Sequence, residues 1–137
     1  MDQKPWTVEI ADLGHARPPM VRWLNSLSET KYVAVRAAII NQLEVHGINL
    51  AATQWMKSLG GGLYELRIRH DRIEIAAGDF VRARILLRIF LVFRPGKRCV
   101  LLNGYDKAEN PSKAHQQRQI RRARRLAQQM IENERRR

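Results

Sequence analysis

Thiols, acids and long apolar runs are all scarce in these 137 residues. Cys99 is the single cysteine, which excludes an intramolecular disulfide and leaves too few thiols for a metal centre of the usual cysteine and histidine kind. A reducing cytosol is the matching expectation, and with it a cytoplasmic protein. The longest apolar stretches, residues 85–87 and 89–93, are split by Arg88 and fall far short of the roughly 20 residues a membrane span needs. Residues 1–20 carry Asp2, Glu9 and Asp12 and no signal-peptide core. A soluble protein with no membrane partner is expected.

Acids number 13 against 25 Lys and Arg, a formal charge of +12. Such a balance favours a polyanionic partner and says nothing about fold. With 45% hydrophobic residues the chain is too apolar for a disordered basic tail, and its length suits one domain over residues 1–137 with its own core. The charge is uneven: after Phe93 there are 13 basic and 4 acidic residues, so the partner surface is expected toward the C-terminal half.

Periodicity divides the chain into elements. Trp6-Thr7-Val8-Glu9-Ile10 alternates as a half-buried strand. Pro18-Pro19 starts a helix with Met20, Trp23, Leu24 and Leu27 on one face, and Ser28 or Thr30 caps a second, along which Tyr32, Val35, Ile39 and Leu43 recur until Gly47. Residues 48–59 give no clear period. Gly60-Gly61-Gly62 is a flexible break, with no Lys-Ser/Thr after it to make a phosphate loop. Residues 63–69 alternate as a strand, Tyr64, Leu66 and Ile68 opposite Glu65, Arg67 and Arg69. Residues 70–81 extend that hairpin or hang as a loop. Residues 84–93 form a second long strand, and after the turn-prone Arg94-Pro95-Gly96-Lys97 a third strand runs over 98–105. Asn110 as cap and Pro111 open a basic helix over 110–137, striped by Ile120, Ala123, Leu126, Ala127, Met130 and Ile131. The class is α+β: an N-terminal strand and helical hairpin packed on a mainly antiparallel sheet, with a long basic C-terminal helix.

If the two long strands pair, Arg67 and Arg69 meet Arg88 across the ladder. Clustered guanidinium groups repel one another unless an anion neutralises them, which suits a phosphate site; the bland alternative is solvent-facing arginines with snorkelling stems. Tyr105 adds a ring and a phenol and Lys107 a mobile cation, a combination suited to single-stranded RNA. Arg67, Arg88, Lys107 and Tyr105 are the catalytic candidates. Arg69, Arg84, Arg118, Arg121, Arg122 and Arg125 are RNA-binding candidates, the helix arginines serving either ribosomal RNA or an acidic protein segment. His70, beside Asp71, reads as a turn histidine; His15, His46 and His115 are scattered. Trp6, Trp23 and Trp55 read as packing residues and Cys99 as a small buried hydrophobe.

The run Leu59-Gly60-Gly61-Gly62-Leu63-Tyr64-Glu65-Leu66-Arg67, then Arg88-Ile89-Phe90 and Val100-Leu101-Leu102-Asn103-Gly104-Tyr105-Asp106-Lys107, resembles the phage-derived HigB-like branch of the RelE/ParE toxin superfamily. The resemblance spans residues 59–130, and the helical hairpin matches only as a pattern. It implies a compact RelE-like fold and the toxin of a type II toxin–antitoxin pair, cleaving mRNA on the ribosome. Its partners would be that mRNA and a cognate antitoxin of helix-turn-helix type, with operator DNA reached only through the antitoxin complex. Arg67 and Arg88 stand at basic active-site positions of that family and Lys107 near the basic residue after its last strand. Glu65 departs from RelE, which has a lysine there, and so do the 70–81 segment and the long final helix. Cleavage by the adjacent 2′-hydroxyl needs no metal or cofactor, and arginine, always protonated, would stabilise charge rather than act as base. A ParE-like toxin that poisons gyrase and a non-catalytic RNA-binding phage accessory protein are the alternatives.

Overall fold

The computed structural model describes residues 4–14, 17–76 and 78–137, the side chains of 72–76 and 79–83 excepted. His15 and most side chains of the 70–81 segment lie outside the described residues. In chain order come β1 (Thr7–Ile10), α1 (Pro19–Ser26), α2 (Glu29–Ala38), a π-helical turn (Ile39–Leu43), α3 (Glu44–His46), a 3-10 turn (Gly47–Ala52), β2 (Met56–Gly60), β3 (Leu63–Ala76), β4 (Asp79–Arg94), β5 (Arg98–Asp106) and α4 (Lys113–Arg135). The five strands form one sheet in the order β1-β5-β4-β3-β2. All neighbours are antiparallel except β1, which runs parallel to β5. The expected α+β architecture is the one observed.

Strand alternation gives the sheet two faces, and helices cover both. Leu66, Ile68, Ile85, Leu87, Ile89, Leu91, Cys99 and Leu101 pack with Met20, Ala34, Val35, Ala38 and Leu43 of the helical segment. On the other face Leu63, Phe90, Val92, Val100 and Leu102 meet Ala123, Leu126 and Met130 of α4. The amphipathic stripe read from residues 120–131 is therefore the seam on which α4 lies.

Four local features differ from the sequence reading. β2 takes up the end of the ambiguous stretch and Gly60 of the expected flexible break: it is a five-residue edge strand with only Met56 fully buried, too short to show a period. Tyr32 is 45% exposed instead of joining the buried face. The inward residues are Ala34, Val35 and Ala38, then Leu43 five positions on, because the π-helical turn adds a residue to that turn of helix. The cap of α4 is Ser112, whose hydroxyl accepts from His115 N–H at 3.1 Å, rather than Asn110. β3 runs on through Ala76 and β4 starts at Asp79, the two paired as one hairpin, which is the first of the two readings of that segment, and His70 sits in a strand rather than a turn.

α4 is fastened at several points. Arg124 donates to the carbonyls of Leu59 and Gly60 at 2.9 and 3.1 Å, bracing the turn that Gly61 and Gly62 make at positive φ. Near its end, Glu134 accepts from Arg94 at 3.0 Å and Arg98 at 2.9 Å, and Arg98 also bonds Glu9 of β1.

A candidate anion-binding active site on the long strands

β3 and β4 are 14 and 16 residues long and outrun their neighbours. α4 covers their α4-side face from Leu63 and Val92 only as far as its own first turns, where His115 meets Tyr105 with ring centroids 5.2 Å apart. Beyond that point no helix of the described residues lies over the face. Here Arg67 pairs with Arg88, and Arg88 with Tyr105. On the outer side the Arg67 amide donates to the Trp55 carbonyl at 2.7 Å. The rung Trp55, Arg67, Arg88, Tyr105 crosses the sheet, and Arg67 and Arg88 face the same way, as their alternation predicted.

A cleft of about 500 Å³ opens on this rung, lined by Gln54, Trp55, Arg67, Arg69, Asp71 and Arg88. Three guanidinium groups share it. Their counter-charge lies two rungs inward on the same face: Glu65, pairing with Phe90, is fully buried. Glu65 Oε1 accepts from Arg67 Nε at 3.1 Å and lies 3.7 Å from Arg88 Nε, while Oε2 accepts from Gln116 of α4 at 3.2 Å. One carboxylate thus serves two arginines and ties α4 to the site.

Arg88 is 9% exposed. Burial pulls its pKa below the ordinary arginine value, Glu65 opposing that shift and Arg67 and Arg69 adding to it. Arginine starts so high that it stays charged, so the protein holds a desolvated cation whose Nε lacks a hydrogen-bond partner among the described residues. Unpaired buried donors of this kind are costly unless a ligand uses them.

The other candidates divide. Tyr105 is 4% exposed, its ring 6.0 Å from Phe90 in a stacked arrangement and tilted against His115. The open stacking platform expected of it is occupied by these neighbours. Its hydroxyl has no hydrogen-bond partner among the described residues, and burial first, then Glu65, raises its pKa, so the phenol holds its proton. Lys107, two residues on, donates its amide to the Leu86 carbonyl at 2.8 Å, which puts it on the rung where Leu86 pairs with Arg69. Arg84 is exposed farther toward the hairpin tip. The helix arginines do not join the cleft. Arg118, Arg121 and Arg125 are exposed on α4, and Arg122 lines a second cleft with Arg22 and Lys31 that reaches Asn103 and Tyr105. His70 pairs with Ile85 and alternates with Leu66 and Ile68, away from the arginines. Cys99 is buried, its thiol pushed up to about 12.

Glu65, Gln116 and His115 are the contributors that sequence reasoning passed over. For Glu65 the signal was present: an acid two residues before Arg67 on one strand face is placed to pair with it. Gln116 and His115 reach the site only through the docking of α4, which no local pattern encodes.

Against models of protein families, residues 22–128 match the family of phage-derived proteins described as Gp49-like (DUF891). The match runs from within α1 into α4 and includes Glu65, Arg67, Arg88, Tyr105 and Lys107. The chain belongs to the Gp49-like family. That family falls within the RelE/ParE-like toxin superfamily, whose members are toxins and often endoribonucleases. A Gp49-like protein is compatible with the toxin of a toxin–antitoxin system, and the family suggests a cognate antitoxin as partner. No curated protein matches the chain. Among the described residues of this Gp49-like protein no helix is long and apolar enough to cross a membrane.

Proposed function

We propose that this protein is the HigB-like toxin of a type II toxin–antitoxin pair and cleaves mRNA on the ribosome through attack by the adjacent 2′-hydroxyl. The observation that carries the reading is the pairing of Arg67 with Arg88 in an open cleft over a buried glutamate. In-line attack builds negative charge on the phosphorane oxygens, and fixed cations in a partly desolvated site stabilise that charge far better than water does. Arg67, 35% exposed at its side chain, contacts the phosphate first, and Arg88 beneath it supplies the second guanidinium. The proton of the attacking 2′-hydroxyl passes to water, and Lys107, two rungs along, protonates the departing 5′ oxygen. Glu65 is enclosed with both oxygens engaged, so it orients the two arginines. Tyr105, covered and protonated, fixes the flank of Arg88. Arg69 and Arg84 extend the basic track for neighbouring phosphates. Arg118, Arg121 and Arg125, on the outer surface of α4, would hold ribosomal RNA.

The test is expression in a bacterial host with mapping of transcript ends. Cuts within codons that appear only during translation support the reading; intact transcripts with DNA damage favour gyrase poisoning, and neither effect favours a non-catalytic binder. Arg67→Ala and Arg88→Met should each lower cleavage about 100-fold or more, as the loss of one charge-stabilising donor does elsewhere. Full growth arrest by either variant would remove that arginine from the mechanism.

A further inference from the structure

The arginine cleft has a second wall whose chemistry differs from phosphate binding. Trp55 lies just before β2 and is half-buried, part of it packed on the core beneath the helical segment. Its backbone is pinned at both ends: its amide donates to Thr53 Oγ1 at 3.1 Å, and its carbonyl accepts from the Arg67 amide at 2.7 Å. The Thr53 hydroxyl is itself held by the Leu50 carbonyl at 2.7 Å. A tryptophan whose backbone is so fixed and which lines an open cleft loses little freedom when a flat group lies on it. Gln54 and Asp71 line the same cleft, and Asp71 is exposed. A carboxylate in a cleft with three guanidinium groups weakens anion binding at its own end. That end suits a group that offers N–H donors.

We infer that Trp55, with Gln54 and Asp71, forms a nucleobase subsite beside the phosphate-binding arginines, and that it selects a base presenting adjacent N–H donors. The base lies on the indole while its phosphate meets Arg67 and Arg88. Aromatic residues hold single-stranded RNA bases in this way, and the hydrogen-bonding edge is then read by side chains at the rim. Guanine offers two neighbouring donors to a carboxylate. Uracil offers one, flanked by two acceptors that the carboxylate repels. Guanine is therefore the preferred occupant and uracil the poorest. This subsite rests on the cleft being a phosphodiester site, as proposed above.

The experiment titrates the four nucleoside 3′-monophosphates, and inorganic phosphate, into the whole protein by calorimetry. Wild type is expected to bind guanosine 3′-monophosphate most tightly and the uridine nucleotide least. Trp55→Leu, which keeps apolar packing without a π face, should weaken the guanosine nucleotide about tenfold or more, the loss of one base stack, and leave inorganic phosphate unchanged. Trp55→Phe should recover most of the loss. Asp71→Asn should flatten the guanine-over-uracil ratio without weakening inorganic phosphate, whereas Arg67→Ala should weaken all five ligands alike. Nucleotide binding that depends on Arg67 but is unchanged in Trp55→Leu overturns the subsite and leaves the phosphate site standing. Wild-type protein that binds neither nucleotides nor phosphate overturns both.

Discussion

Substituting Glu65 by Gln tests whether the arginine pair is held by a single buried counter-charge. The substitution preserves shape and deletes the charge, leaving one acceptor oxygen where Glu65 offers one to Arg67 and one to Gln116. Glu65 is fully buried and Arg88 9% exposed, so neither is well solvated. At the 3.7 Å separation of Oε1 and Arg88 Nε, Coulomb attraction with an effective dielectric near 20 is at most about 4.5 kcal/mol. Arg67, 35% exposed at its side chain, adds a screened and smaller amount. Removing one partner of a buried pair strands the other, at about 3–5 kcal/mol in measured cases, so about 3 kcal/mol is expected here. That is a large part of the roughly 5–15 kcal/mol by which domains are stable. The assay is urea unfolding followed by circular dichroism, in chloride and again with added sulfate. The variant should lose about 3 kcal/mol in chloride and regain part of it in sulfate, because an oxyanion entering the cleft takes over the missing charge. Equal stability of variant and wild type in chloride would refute the argument, as would a loss that sulfate leaves untouched.

Other outcomes follow from the packing and the termini. Gly104→Ala should lower stability by about 1–3 kcal/mol through overpacking, since its Cβ would fall 2.5 Å from the Trp23 ring; a melting curve checks it. Ser112→Ala removes the cap of α4 and should cost about 1 kcal/mol by urea unfolding. Glu134, whose pKa is lowered chiefly by its bond to Arg98, contributes stability that is full above the ordinary carboxylate value of 4.5 and lost as pH falls through its depressed folded value. Glu134→Gln should therefore bring stability at pH 6 closer to that at pH 3, and an unchanged pH dependence would contradict the ion-pair network. Cys99, buried with its thiol pushed up to about 12, should resist iodoacetamide at pH 8 in the folded protein and react in urea.

Much of this arrangement is legible in the sequence. The alternation of Glu65, Arg67 and Arg69 against Leu66 and Ile68 set the faces of β3, and that of Arg88 against Leu87 and Ile89 set those of β4. Both reappear in the two cores, because a period of two has only one way to bury its apolar set. What escaped is non-local. β2 is short and half-exposed, and its pairing with β3 depends on the turn at Gly61 and Gly62. The covering of Tyr105 depends on where α4 crosses the sheet. Glu65 looked like a departure at one position. Its weight appears only when Arg67 and Arg88, 21 positions apart in the chain, are seen on one rung with it beneath.

The lacing of β1, β5 and the tail of α4 through Glu9, Arg98 and Glu134 bears on synthesis. Because β1 has to wait for a partner about ninety residues downstream, and the apolar row of Phe90, Val92, Val100 and Leu102 has to wait for α4, a nascent copy stays sticky and half-built until α4 has been made. Copies that stop short of α4 would be prey for proteases, so the arginine cleft would persist only where α4 has docked.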